Sequence, residues 1–148
     1  MRGETRANLD RDTARQLIER LNLDAERLAR RFGLRYRSIT AERPGVRSRY
    51  GVCYADGAIK IRLRHATTGR PLKYSSLVNT LCHELAHLRH FNHGPRFKAF
   101  YFEILDHARA LGIYRPGRAP AESPGRAAPI APQRQMAPQA AEQLSLFG

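Results

Sequence analysis

The stretch from position 75 to position 88 places two histidines and a glutamate inside an otherwise apolar helical pattern. Its apolar residues recur every three or four positions, which predicts a helix with a buried face: Leu77, Val78, Leu81, Leu85 and Leu88. Glu84 is the only acidic residue of this stretch, and it stands between His83 and His87. Polar groups in a buried helix need partners, so this pattern indicates a functional site.

The run His83-Glu84-Leu85-Ala86-His87 is a His-Glu-x-x-His pattern. Four residues correspond to about 400° of turn and about 6 Å of rise, so both imidazoles leave the same helix face and can bind one ion at about 2.0 Å. Glu84 is displaced by about 100° and suits a catalytic base better than a ligand. Zinc would acidify a water molecule, and Glu84 would move its proton to the leaving amine. We therefore predict a zinc-dependent peptidase.

A catalytic zinc site usually has a third protein ligand. His90 lies about 10 Å along the helix axis from His83, so it is poorly placed to share the ion. The residues around His93 favour a break in the helix, because Asn92 tolerates a left-handed conformation and Gly94-Pro95 disfavours a continuous helix. We therefore favour His93 as third ligand over His90 and over the more distant Glu103.

The remaining pattern predicts an α+β domain. Apolar residues at helical spacing indicate an N-terminal helix from Asp10 to Phe32, and Gly33 is a suitable stop. Turn pairs and period-two alternation between positions 34 and 63 predict two or three antiparallel strands, with an apolar and a basic face on the strand Ile59 to Leu63. A final helix is expected from about Pro95 to Leu111, ending at Gly112.

The chain of 148 residues is long enough for one domain, expected over residues 1–114. Residues 115–148 are rich in Pro, Ala, Gly and Gln, and we expect this tail to be disordered. Neither a spanning helix nor a secretion signal is present, which predicts a cytoplasmic protein without a membrane partner. The two cysteines, Cys53 and Cys82, are expected to be reduced structural thiols.

The balance of 26 basic against 13 acidic residues, a formal net charge of +13, favours a polyanionic partner such as DNA. The candidates for phosphate contacts are six arginines of the predicted domain: Arg30, Arg31, Arg35, Arg37, Arg62 and Arg64. An alternative function is a non-catalytic, zinc-stabilised DNA-binding protein. Glu84 distinguishes a peptidase from such a binding protein, because a binding protein does not need a catalytic base.

The segment from Tyr50 to Phe100 resembles the YgjP-like and SprT-like zinc metallopeptidase families. The likeness is carried by short runs of matching residues: Arg49-Tyr50-Gly51-Val52-Cys53, the strand Ile59 to Leu63, the His83 to Leu88 run, and Asn92-His93-Gly94 with Phe97. The resemblance implies a zincin-like fold, peptidase activity and His93 as third ligand. Tyr50 replaces a usual tryptophan, and the spacing from His87 to His93 is closer to YgjP-like than to SprT-like proteins.

The run Gln143-Leu144-Ser145-Leu146-Phe147 resembles the short motif by which bacterial replication and repair proteins bind the sliding clamp. An apolar pair on a flexible tether suits an apolar pocket of a partner. SprT-like enzymes of eukaryotes act on DNA-protein crosslinks, so these resemblances together imply a clamp-recruited peptidase for DNA-associated or DNA-crosslinked proteins. The non-catalytic alternative is then a clamp-associated accessory protein. For the strand Ile59 to Leu63 two interpretations stay open: it forms a sheet edge above the metal-binding helix, to which a substrate strand would add, or it is half-buried with its basic residues solvated.

Overall fold

The computed structural model describes the backbone of residues 2–117 and the side chains of residues 11–117. The described part contains three helices and three short strands: α1 (Arg2–Phe32), β1 (Ser38–Ala41), β2 (Gly51–Cys53), β3 (Ala58–Ile61), α2 (Tyr74–His87) and α3 (Pro95–Ala110). The predicted α+β class is confirmed. The clamp-binding-like motif at positions 143–147 lies outside the described residues.

Helix α1 begins eight residues earlier than the periodicity predicts, and it ends where the sequence indicates. Gly33 follows it with a φ of 67°, a left-handed conformation that glycine adopts without steric cost. Leu21, Ala25 and Leu28 are fully buried on its inner face. The Asn22 side-chain amide donates to the Ile39 carbonyl at 3.1 Å and so ties α1 to β1.

The three strands form a mixed sheet, which corrects the prediction of an antiparallel one. β2 and β3 pair antiparallel, as the Asp56-Gly57 turn predicts, but β1 pairs with β3 in parallel. The hairpin is encoded locally by its turn, whereas the pairing of β1 with β3 joins residues about twenty positions apart. Turn residues carry no information on such a distant partner.

The strand order is β1-β3-β2, so β3 is the central strand. The prediction that the Ile59 to Leu63 strand forms a sheet edge is therefore wrong. Ile59 and Ile61 are fully buried, and pairing on both sides keeps their backbone away from solvent. The edge strand that packs against α2 is instead β2.

Helix α2 contacts both other helices and the strands β2 and β3, while α1 also packs directly on β1. Every residue from 77 to 87 is buried, so the second face of this helix is covered as well as the predicted apolar one. Helix α3 starts with Pro95 in its first turn and packs against α2, and its Phe97, Phe100 and Ile104 are buried in the shared core. Among the described residues, no helix is long and apolar enough to cross a membrane.

Candidate metal centre

Helix α2 presents its two histidines and its glutamate to the interior. His83, Glu84 and His87 retain 4%, 2% and 1% of their surface exposure. The rings of His83 and His87 lie 4.9 Å apart, as expected for side chains one helical turn apart on the same face. Burial of three ionisable groups on one helix is costly unless they bind something, so this concentration marks a site.

The chain turns back after α2 and brings His93 to the same place. The His93 Nε2 atom lies 3.0 Å from Nε2 of His87 and 3.3 Å from Nε2 of His83. The turn contains no left-handed residue, contrary to the expectation for Asn92, and Gly94 is extended with φ −76° and ψ −176°. Helix α2 ends at His87, and α3 begins at Pro95, whose lack of a backbone N–H is tolerated in a first helical turn.

The two alternatives considered for a third ligand lie elsewhere. The His90 ring packs edge-on against Phe100, and the His90 carbonyl lies 3.0 Å from Nδ1 of His87. The Glu103 side chain is exposed on α3. When Nδ1 of His87 donates to that carbonyl, its Nε2 keeps a free lone pair that faces the other two imidazoles.

The three imidazoles fit a divalent cation in spacing and in charge. A tetrahedral ion with nitrogen ligands at about 2.0–2.1 Å requires ligand atoms about 3.3 Å apart, close to the two Nε2 separations seen here. Burial lowers the pKa of His83 well below its usual value and lowers that of His87 to about 4, and burial also lowers the pKa of His93. All three rings are therefore neutral near pH 7, which is the form that binds a metal.

Glu84 lies beside these imidazoles and against the edge strand. Its Oε1 atom is buried and has no hydrogen-bond partner among the described residues. Burial raises the pKa of Glu84 to about 8, while the nearby Arg49 guanidinium acts in the opposite direction. A cation on the three histidines would act like Arg49 and favour the ionised form of Glu84. An acceptor atom that the protein leaves unpaired is suited to hold a water proton.

Phe97 underlies the histidines, and the sequence patterns indicated only a core role for its ring. Its ring centroid lies 4.9 Å from His83, 4.8 Å from His93 and 4.4 Å from His87, on which it stacks. Tyr101 extends this aromatic layer and donates its hydroxyl to Asn79. The resemblance that includes Phe97 was the one available signal for its contact with the site.

Gly51 brings β2 against helix α2. A methyl group at this position would lie 2.6 Å from Cγ2 of Thr80 and 3.2 Å from both Cγ and Oε2 of Glu84. Only a residue without a side chain lets the strand approach this closely. The glycine occurs in the run that resembles the metallopeptidase families, but its spacing to Glu84 in the sequence predicts no contact.

The exposed arginine candidates for DNA lie away from these histidines. Arg37 pairs with the Asp56 carboxylate in the β2–β3 turn. The others lie at the end of α1 and in the segment that follows it: Arg30, Arg31 and Arg35. Their contact with nucleic acid stays a prediction.

Arg62 does not lie on an open basic face, which corrects the prediction of a solvated strand surface. It keeps only 7% of its exposure, and its Nη2 donates to the Val46 carbonyl at 2.6 Å. Arg64 is partly buried and donates to the Gly69 carbonyl at 2.8 Å. The Arg62 guanidinium therefore borders the loop around Val46, and the Arg64 guanidinium borders the turn that contains Gly69.

Three converging neutral imidazoles, two of them on α2, and a buried carboxylate on the same helix form a set of groups typical of metal-dependent hydrolases. Residues 3–111 match the family described as YgjP-like, metallopeptidase domain. The chain therefore belongs to the YgjP-like metallopeptidase family. It is a metallopeptidase, and its substrates are proteins or peptides.

Solved structures with the same fold come from two yeasts. Wss1 from Saccharomyces cerevisiae has a TM-score of 0.65 at 19% identity, covering 69% of this chain and 81% of that one. Wss1 from S. pombe has a TM-score of 0.57 at 23% identity, covering 66% and 82%. No match was found among curated proteins. At these identities the likeness shows a shared fold.

Proposed function

We propose that the chain is a zinc-dependent peptidase in which His83, His87 and His93 bind the metal and Glu84 is the catalytic base. The convergence of three neutral Nε2 atoms beside the unpaired Glu84 oxygen carries this proposal. Bound zinc would polarise the scissile carbonyl and acidify a water molecule. Glu84 would accept the water proton and deliver it to the leaving nitrogen.

The surrounding residues support these roles. Burial keeps Glu84 in a medium of low dielectric, where a proton shared with water is held more strongly. β2 is the edge strand beside α2, so an extended substrate would lie along it and offer its backbone to the site. Backbone recognition selects little for side chains, and specificity would then depend on how substrates are delivered.

The base is tested with Glu84→Gln, which keeps the side-chain volume. We expect the variant to retain zinc by elemental analysis and to hydrolyse a protein substrate at least about a hundredfold more slowly. Glu103→Gln is the matched control, because it makes the same change at an exposed position of α3. Unchanged proteolysis by zinc-loaded Glu84→Gln would refute the proposed base.

The third ligand is tested with His93→Gln and its control His90→Gln. The first removes one of three converging nitrogens and should lose most bound zinc, whereas the second leaves the His90 carbonyl in place and should retain it. Zinc content and chelator competition measure both. Equal retention of zinc by the two variants would exclude His93 as a ligand.

We infer that DNA-associated or DNA-crosslinked proteins are the substrates. The SprT-like resemblance and the formal net charge of +13 support this substrate class. A protein crosslinked to single-stranded or duplex DNA should be cut faster than the same free protein, because binding to DNA concentrates the enzyme at the target. Equal rates for free and crosslinked protein would contradict the inference.

We further infer recruitment by a bacterial sliding clamp through Gln143, Leu144, Ser145, Leu146 and Phe147. The resemblance of this pentapeptide to clamp-binding motifs supports it. A pull-down with purified clamp should recover the wild-type chain but not Leu146→Ala/Phe147→Ala. Ile130→Ala/Met136→Ala removes two apolar side chains elsewhere in the tail and should not change recovery. Equal recovery of all three proteins would exclude recruitment through this pentapeptide.

A further inference from the structure

A pocket of about 330 Å³ lies between the segment that follows β1 and the segment that follows β3. Residues 41–47 form one wall and residues 62–66 form the other, with Ala14 of α1 and Gly69 completing the lining. This volume lies in the range of small-ligand sites. The lining contains none of the three metal-site histidines and not Glu84.

The charged residues of the pocket are mainly basic, while most of its accessible lining is apolar. Four arginines line it, Arg43, Arg47, Arg62 and Arg64, and we refer to it as the arginine pocket. Glu42 is its one acidic lining residue. Glu42 is a single carboxylate among these arginines, and it already accepts from Arg49, which lies outside the lining, at 3.0 Å. Its side chain is 1% exposed, so it presents almost no negative surface to the pocket.

Arg62 gives the pocket a fixed cationic wall. Its guanidinium packs over the Tyr50 ring at 5.1 Å and donates from Nη2 to Val46. Its Nε atom is buried and has no acceptor among the described residues. The Glu42 charge acts on Arg62, but the buried Nε–H stays unused, and a bound anion would satisfy this donor and compensate the buried charge.

We propose that the arginine pocket binds a phosphate group. Guanidinium groups recognise phosphate oxygens through paired hydrogen bonds, and several of them around one cavity suit a multiply charged phosphate or a phosphodiester strand better than a single carboxylate. Arg43 and Arg47 are exposed at the rim and can approach such a ligand, while Arg62 forms the wall behind it.

The arginine pocket is connected to the edge of the active site through the backbone. The Arg62 N–H donates to the Tyr50 carbonyl at 2.7 Å, and the next residue, Gly51, contacts Glu84. A nucleic-acid phosphate held there would lie near the start of β2, along which the substrate is proposed to bind. This inference deepens the proposed function, since it gives the DNA of a DNA-bound protein a defined binding site.

Binding is measured with the full chain and a fluorescein-labelled oligothymidylate by fluorescence anisotropy across a series of salt concentrations. Arg43→Ala/Arg47→Ala should weaken binding roughly tenfold and lower the slope of log K against log salt by about 1.4, the value for two lost phosphate contacts on a single strand. Arg27→Ala/Arg109→Ala removes the same charge at two exposed positions outside the pocket and should weaken binding less.

A second experiment distinguishes a nucleic acid from a small phosphate compound as the ligand. In it, inorganic phosphate is titrated into the same proteins by calorimetry. Loss of oligonucleotide binding in Arg43→Ala/Arg47→Ala identifies a nucleic-acid site. Loss of phosphate binding alone identifies a site for small phosphate compounds. The proposal would be overturned if the two double variants weakened oligonucleotide binding equally, or if neither weakened it, while the phosphate titration of Arg43→Ala/Arg47→Ala matched that of the wild type.

The assay contains no hydrolytic step, so it is independent of the proposed chemistry. Glu84→Gln should bind the oligonucleotide like the wild type. If the pocket variant binds normally while Glu84→Gln is inactive, the phosphate site is wrong and the peptidase stands. If Glu84→Gln is fully active while the pocket variant binds poorly, the phosphate site stands and the proposed catalytic base is wrong.

Discussion

Gly51→Ala tests the contact between the edge strand and the catalytic helix. The added methyl group would lie 2.6 Å from Cγ2 of Thr80, and this distance is too short for two carbon atoms. It would also lie 3.2 Å from Cγ and Oε2 of Glu84. Thr80 is 1% exposed and its hydroxyl donates to the Ser76 carbonyl at 3.1 Å, so it has little room to move.

Two separate effects are expected from these two contacts. Insertion of a methyl group into a packed interior costs about 1–3 kcal/mol of unfolding free energy. Displacement of Glu84 by a few tenths of an ångström, with the strand moving as well, should lower kcat roughly ten- to hundredfold, because catalysis depends on the position of the base. Zinc content should stay unchanged, since none of the three histidines is displaced directly.

A second substitution separates stability from catalysis. Thr80→Ser removes Cγ2 and keeps the hydroxyl, so Gly51→Ala/Thr80→Ser should regain most of the lost stability. It should remain slow, because the contact of the new methyl group with Glu84 persists. Urea unfolding and peptide hydrolysis measure the two effects, with Thr80→Ser alone as reference. Wild-type stability and wild-type kcat in Gly51→Ala would refute the argued contact.

Three further predictions concern the interior. Phe97→Leu should weaken zinc binding about tenfold in chelator competition, since the ring packs on all three histidines, whereas Phe102→Leu on the exposed side of α3 should not. Burial and a hydrogen bond to an aspartate raise the pKa of Tyr74, so the folded state disfavours the phenolate. Stability should therefore fall above about pH 10, and fall less in Tyr74→Phe, as urea unfolding will show. Burial raises the pKa of Cys53 and Cys82, so both thiols should react with a disulfide reagent only after unfolding, and rapid native labelling would contradict this.

The helices could be predicted because their signals are local. Gly33 and Gly112 both adopt positive φ at the ends predicted for α1 and α3. The pattern of apolar residues identified α2, although it did not show that this helix is buried on all sides. A stripe of leucines indicates one buried face, and the other face depends on which elements pack over it.

The sheet was predicted less well, because strand pairing beyond a hairpin is a long-range property. Alternation placed Ile59 and Ile61 on a buried face, and both are fully buried. The same alternation suggested a solvated Arg62, but the loop around Val46 covers this side chain. Loops with glycine and proline have no periodicity from which their final position could be read.

For the metal centre, the histidine spacing on α2 follows from helix geometry alone, because a turn of 3.6 residues brings positions four apart to one face. The amino-acid sequence was therefore sufficient to identify His83, Glu84 and His87 as candidates. The distance from His93 to the other two imidazoles, the approach of Gly51 to Glu84 and the stacking of Phe97 depend on how α2, α3 and β2 pack. These contacts join separate elements, and their geometry arises from shared burial in one core rather than from local backbone preference.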